Sequence, residues 1–140
     1  MIRRVVFDTS SLVSAAIRPG GIPDQVYTRA IGSSELCTSS QHLTELEQVL
    51  RREHFNRYVS LDSRLNFLQI FSENAKVFVV PTATFETLRD ICRDANDQFV
   101  LALAVTAQAG LIVSSDNDLL VLHPWRSIQI LTPRQYLESY

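Results

Sequence analysis

Residues 94–113 read DANDQFVLALAVTAQAGLIV, and the fold turns on this stretch. From Phe99 to Ala107 the residues are apolar nearly all round. A helix without a polar face lies inside a molecule rather than on its surface. Asp94 stands before it and Gly110 after it, and Leu111-Ile112-Val113 follows as a short strand. A buried helix that leads straight into a buried strand is the unit from which helix-flanked parallel sheets are made.

The same alternation extends outward. Val5-Val6-Phe7 reads as a first strand, and Ser11 to Ile17 as a helix broken by Arg18-Pro19-Gly20-Gly21. Pro23 to Ile31 reads as a second helix, and Glu35 to Thr38 as a second strand. Helices are predicted from Ser39 or Ser40 to Arg52, with Leu43, Leu46, Val49 and Leu50 as the apolar stripe, and from Leu61 to Asn74. Lys76 to Val80 is a third strand stopped by Pro81, followed by a Thr-rich loop. A helical turn over Asp116 to Leu122, a fifth strand over Ile128 to Leu131 and a last short helix through Tyr140 complete the pattern. The expected fold is a three-layer α/β/α arrangement around a central, mostly parallel sheet of about five strands, forming one domain over residues 1–140.

With 46% hydrophobic residues and a net charge of -2, the 140-residue chain is neither a disordered segment nor a uniformly basic nucleic-acid coat. Twelve of the 13 basic residues are Arg, which suits bidentate phosphate pairing. Cys37, Cys92 and the three histidines show no zinc-site spacing, and both cysteines read as small core residues. The apolar run after Arg4 stops at Asp8, too short for a signal peptide, and no membrane-length segment follows; a soluble cytoplasmic protein is expected.

In open α/β sheets, ligands bind beyond the carboxyl ends of the strands. Asp8 directly follows the first strand there, and Asp116 and Asp118 follow the fourth. Asp94 and Asp97 open the apolar helix, and Glu45 lies one turn into the helix after the second strand. Taken singly, Asp94 and Asp116 read as helix N-caps and Asp97 as a capping-box partner. Taken together, Asp8, Asp97 and Asp116 would converge at one sheet edge, where their repulsion calls for a cation. An all-oxygen set suits Mg²⁺ or Mn²⁺, the ions that assist phosphodiester displacement. Other acid-based sites fit less well. Asp8-Thr9-Ser10 lacks the second Asp of a dehalogenase-like phosphotransferase, and the third strand ends at Val80-Pro81 without a phosphoacceptor Asp. There is no glycine-rich phosphate loop with a Lys, and no Gly-x-Ser-x-Gly turn.

Five segments, in order, resemble one known family. Val5-Val6-Phe7-Asp8-Thr9-Ser10 resembles the apolar run and Asp-Thr-Asn that open PIN-domain nucleases. Ser39 to Glu45, then Leu50, resembles the segment with their helical Glu, and Asp94-Ala95-Asn96-Asp97 their Asp-x-x-Asp helix start. Ser114-Ser115-Asp116-Asn117-Asp118-Leu119-Leu120 resembles Thr-Gly-Asp-x-Asp-Leu-Leu, and Leu131-Thr132-Pro133-Arg134-Gln135-Tyr136-Leu137 the closing x-Thr-Pro-x-x-Phe-Leu. Within the family, the chain most resembles the VapC-type toxins of toxin–antitoxin systems.

The resemblance implies a Mg²⁺- or Mn²⁺-dependent endoribonuclease with Asp8, Glu45, Asp97 and Asp116 as the acidic quartet. Asp118 matches an additional acid, and Asp94, Ser10 and Ser114 are supporting residues. Arg18 and Arg93 are the substrate-binding candidates nearest the acids in sequence. RNA is the implied substrate, a cognate antitoxin the implied partner, and a homodimer a further expectation, with Phe55, Tyr58 and Phe67 as candidates for its patch. Ser10 replaces the usual Asn, and Ser115 the usual Gly, adding a Cβ where close approach or positive φ is expected. The competing reading is a catalytically weakened RNA-binding or protein-interaction module on the same fold. Small-molecule phosphoryl chemistry on the same acids is a third.

Overall fold

The computed structural model describes residues 2–140. Five parallel strands, β1 (Arg4–Phe7), β2 (Glu35–Thr38), β3 (Lys76–Val77), β4 (Leu111–Val113) and β5 (Gln129–Leu131), form one sheet in the order β3-β2-β1-β4-β5. Chain order reverses beside β1, which pairs with β2 on one side and β4 on the other. That reversal opens a crevice at the strands' carboxyl ends. The expected three-layer parallel architecture is the one observed.

Successive strand residues face opposite layers. Val5 and Phe7 pack with α1 (Thr9–Ile17), α2 (Ile22–Ser33), α3 (Ser40–Leu50), α4 (Leu61–Asn74) and α8 (Pro133–Ser139), through residues such as Leu12, Val26, Leu46, Phe71 and Tyr136. Val6, between them, faces α6 (Ala95–Ala107) and α7 (Asn117–Leu120) through Leu101, Ala104 and Leu119. The apolar α6 is buried along most of its length, as its composition requires.

Several boundaries differ from the sequence reading. β3 pairs only at Lys76–Val77; beyond Phe78, whose N–H reaches the Thr38 carbonyl at 2.8 Å, Val79 is left exposed before Pro81. The expected Thr-rich loop is instead a short helix, α5 (Thr82–Glu86), capped by Pro81. A 3₁₀ turn over Glu53–Arg57 was also not expected. Gly110 does not end α6: Gln108 takes the left-handed capping conformation, with φ 53°. Cys37 and Cys92 are free and buried, as expected. Phe55 and Phe67 are partly buried against the core, Phe67 with its ring 4.6 Å from that of Tyr27, while Tyr58 is exposed.

Candidate active site

The carboxylates gather because three helices begin at the same sheet edge, each capped by an aspartate. Asp8 caps α1, its Oδ1 accepting from the Ser11 N–H at 2.9 Å. Asp94 caps α6 by accepting from the Asn96 N–H at 2.8 Å, and Asp116 caps α7 by accepting from the Asp118 N–H at 2.9 Å. The capping reading holds for Asp94 and Asp116, but Asp97 completes no capping box; instead it faces the same groove as Asp8 and Asp116. Capping engages one oxygen of each capping aspartate, and the positive helix ends partly offset the gathered charge.

Ser114 ties the ends of β1 and β4 together. Its hydroxyl donates to Asp8 Oδ2 at 2.5 Å and accepts from the Asp116 N–H at 2.9 Å. Asp8 is buried with both oxygens engaged. Burial raises its pKa and the Asp116 charge adds to the rise, against the hydrogen bonds from Ser11 and Ser114.

The tightest group is Asp97, Asp116 and Asp118, each offering a carboxylate oxygen within 4.8 Å of the others. Asp97 is 6% exposed, and its Oδ2 is buried without a hydrogen-bond partner. Burial, contact with the Asp116 carboxyl and the charges of Asp116, Asp94 and Asp118 push it to about 7. An orphaned buried oxygen facing two further carboxylates fits a divalent cation, and the hard oxygen donors favour Mg²⁺ or Mn²⁺ over zinc.

A groove of about 490 Å³ opens beside this cluster, lined by Asp97 and Asp116 but not by Asp118. Asp8, Ser10, Glu45, Asp94, Asp97 and Asp116 all line it. Glu45 stands half-buried on α3, along the wall and outside the tight trio. Neither Arg18 nor Arg93 lines the groove: Arg18 caps the far end of α1, and both are exposed. The cation on the wall is Arg52, with Phe55 beside it, and the sequence reading missed both. Glu45 and Val49 reach the groove from α3, but Arg52 lies beyond that helix in extended backbone, so helical spacing in the sequence did not place it. Buried Arg64 of α4 secures that segment. Its guanidinium donates to the carbonyls of Leu50 at 2.7 Å and Arg52 at 2.9 Å, and to Asn56 Oδ1. Ser115 is exposed and outside the left-handed region, so its Cβ brings no backbone strain.

Residues 4–118 match the PIN domain family. The chain belongs to that family, a family of nucleases. Uncharacterized protein MJ1680 of Methanocaldococcus jannaschii is 26% identical over 147 residues, covering 98% of this chain and 91% of that protein. A chain of the Rickettsia felis VapBC2 structure, bound to a DNA fragment from their promoter, superposes with a TM-score of 0.66 at 13% identity, covering 92% of this chain and 98% of its own. Mycobacterium tuberculosis VapC20, described as a Sarcin-Ricin loop cleaving toxin, superposes with a TM-score of 0.60 at 16% identity, covering 89% and 98%. At such identities these two structures share the PIN fold with this chain. No helix among the described residues is long and apolar enough to cross a membrane.

Proposed function

We propose that residues 1–140 form one PIN domain that cleaves RNA with Mg²⁺ or Mn²⁺, as the toxin of a toxin–antitoxin pair in the cytoplasm. The observation that carries the reading is the Asp97, Asp116 and Asp118 cluster, with the unpartnered Asp97 oxygen inside it. Family membership supports a nuclease, and the description of VapC20 supports RNA as the substrate.

Asp97, Asp116 and Asp118 would hold the cation, with Asp8 and Glu45 completing the acidic wall. A bound divalent ion supplies charge neutralisation at the phosphate and a water activated near neutral pH. Asp97 would hold the cation in its deprotonated form. Ser114 fixes Asp8 and the start of α7 together, so the two strand ends cannot drift apart. Arg52 faces the same groove and can pair with a backbone phosphate beside the cleaved one. Ser10, exposed on the rim, offers a hydroxyl to phosphate or water where the family's longer Asn usually stands.

The R. felis VapBC2 complex supports an antitoxin partner. Such a partner can silence the site by placing an Arg or Lys among the carboxylates. Pairing with a second copy is part of the same proposal.

The test is incubation of wild type and Asp97→Asn with single-stranded RNA in Mg²⁺, in Mn²⁺ and in EDTA. Cleavage by wild type alone, and only with metal, is the expected result. RNA bound but left intact by every form would identify a binding module instead. Cleavage in EDTA, or equal cleavage by both forms, would refute the carboxylate mechanism.

A further inference from the structure

We propose, on the ribonuclease reading above, that a second cavity between α3 and α6 holds a nucleobase of the strand whose phosphate sits at the carboxylates. The cavity measures about 500 Å³, within the range of roughly 300–1,000 Å³ common for small-ligand sites. Glu45, Asn96 and Val100 line both this cavity and the acidic groove, so the two spaces adjoin across shared walls. A strand held at one reaches the other without leaving the surface.

The lining selects which part of a nucleotide enters. No Lys or Arg lines the cavity and Glu45 does, so a phosphate gains nothing there. Phe99 supplies a ring already stacked against Phe85, with centroids 4.5 Å apart and planes at 36°. An anchored aromatic on the wall is a platform for any base. The hydrogen bonds at the cavity are a side-chain bond of 3.0 Å between His42 Nδ1 and the Thr38 hydroxyl and bonds to the backbone: the His42 N–H donates to Ser39, the Thr44 hydroxyl to the Ser40 carbonyl, and the Asn96 N–H to Asp94. The side-chain amides of Gln41, Gln48 and Asn96 remain uncommitted on the cavity wall. Each carries a donor and an acceptor side by side, the pairing that a base edge presents. Phe99 thus contributes affinity for any base, and the amides contribute preference among bases.

The experiment measures binding of fluorescently labelled RNA hexamers of A, C, G or U, with Ca²⁺ in place of Mg²⁺, by wild type, Gln48→Ala and Phe99→Leu. Gln48 is exposed, so its replacement leaves the fold intact. Wild type is expected to favour one base about tenfold, and Gln48→Ala to lose most of that preference. Phe99→Leu is expected to weaken all four hexamers several-fold. Mn²⁺ affinity stays unchanged in Gln48→Ala. Hexamer binding by both variants that matches wild type overturns the proposal. RNA that binds with base preference but is never cleaved in Mg²⁺ or Mn²⁺ overturns the hydrolytic reading alone. Failure of wild type to bind any hexamer overturns both.

Discussion

Replacing Asp97 with Asn removes a negative charge from the most crowded point of the carboxylate cluster while keeping its size. In the folded protein without metal, Asp97 holds its proton up to about pH 7, against an ordinary value of 3.8. The proton is best regarded as shared with Asp116, the nearest carboxyl. Below about pH 4 the folded and unfolded chains are both protonated here, and the site contributes no pH dependence. Between about pH 4 and 7 the unfolded chain loses the proton first, so stability falls as pH rises. Above about pH 7 both are ionised and the destabilisation is complete. The whole span corresponds to about 4 kcal/mol. Water around exposed Asp118 and half-buried Asp116 screens much of this, leaving about 1–2 kcal/mol. Asp97→Asn should therefore raise the Tm of the metal-free protein at pH 8 by about 3–8 °C and change it little at pH 5. Thermal unfolding in EDTA at both values reads this directly. A variant no more stable than wild type at pH 8, or equally stabilised at pH 5, would refute the repulsion that the cation is held to relieve.

Three further substitutions probe the frame around the site. Ser114→Ala removes the donor to Asp8 and the acceptor for the Asp116 N–H, and urea unfolding should show a loss of about 1–3 kcal/mol. Arg64→Ala strips the donors from the Leu50 and Arg52 carbonyls, and should destabilise by about 3 kcal/mol or more. Proteolysis between residues 50 and 57 should accelerate with it, because the segment bearing Arg52 and Phe55 loses its anchor. Gln108→Gly should stabilise by about 0.5–1 kcal/mol in the same unfolding assay, since glycine takes the left-handed cap without a Cβ penalty.

What the sequence disclosed depended on how local its signals were. Strands β2 and β4 and helix α4 stand at their predicted residues because composition and periodicity define them without help from the rest of the chain. Two of the capping aspartates, Asp94 and Asp116, were legible because each directly precedes a helix start, whereas Asp8 was read only as an acid at a strand end and its capping of α1 emerges from the structure. Helix α5 was not legible, because its Thr-rich residues carry weak helical preference and no apolar stripe. The left-handed Gln108 was hidden by nearby Gly110, the residue type that normally takes that role. At the site, the close pairing of Asp97 with Asp118 as well as Asp116 emerges only when the helix starts pack together. Arg18 and Arg93 were chosen for nearness along the chain, whereas Arg52 enters the groove through the turn that Arg64 holds.

The most direct test is Mn²⁺ binding to wild type and Asp97→Asn at pH 6, where Asp97 still holds its proton, followed by calorimetry, with the thermal stability of both forms measured alongside. Wild type should bind Mn²⁺ with release of a proton, and a hundredfold excess over Kd should raise its stability by about 2.7 kcal/mol. Asp97→Asn, folded and at least as stable without metal, should bind at least tenfold more weakly and release no proton. Equal Mn²⁺ affinity in the two proteins would contradict the assignment of these carboxylates to a catalytic cation.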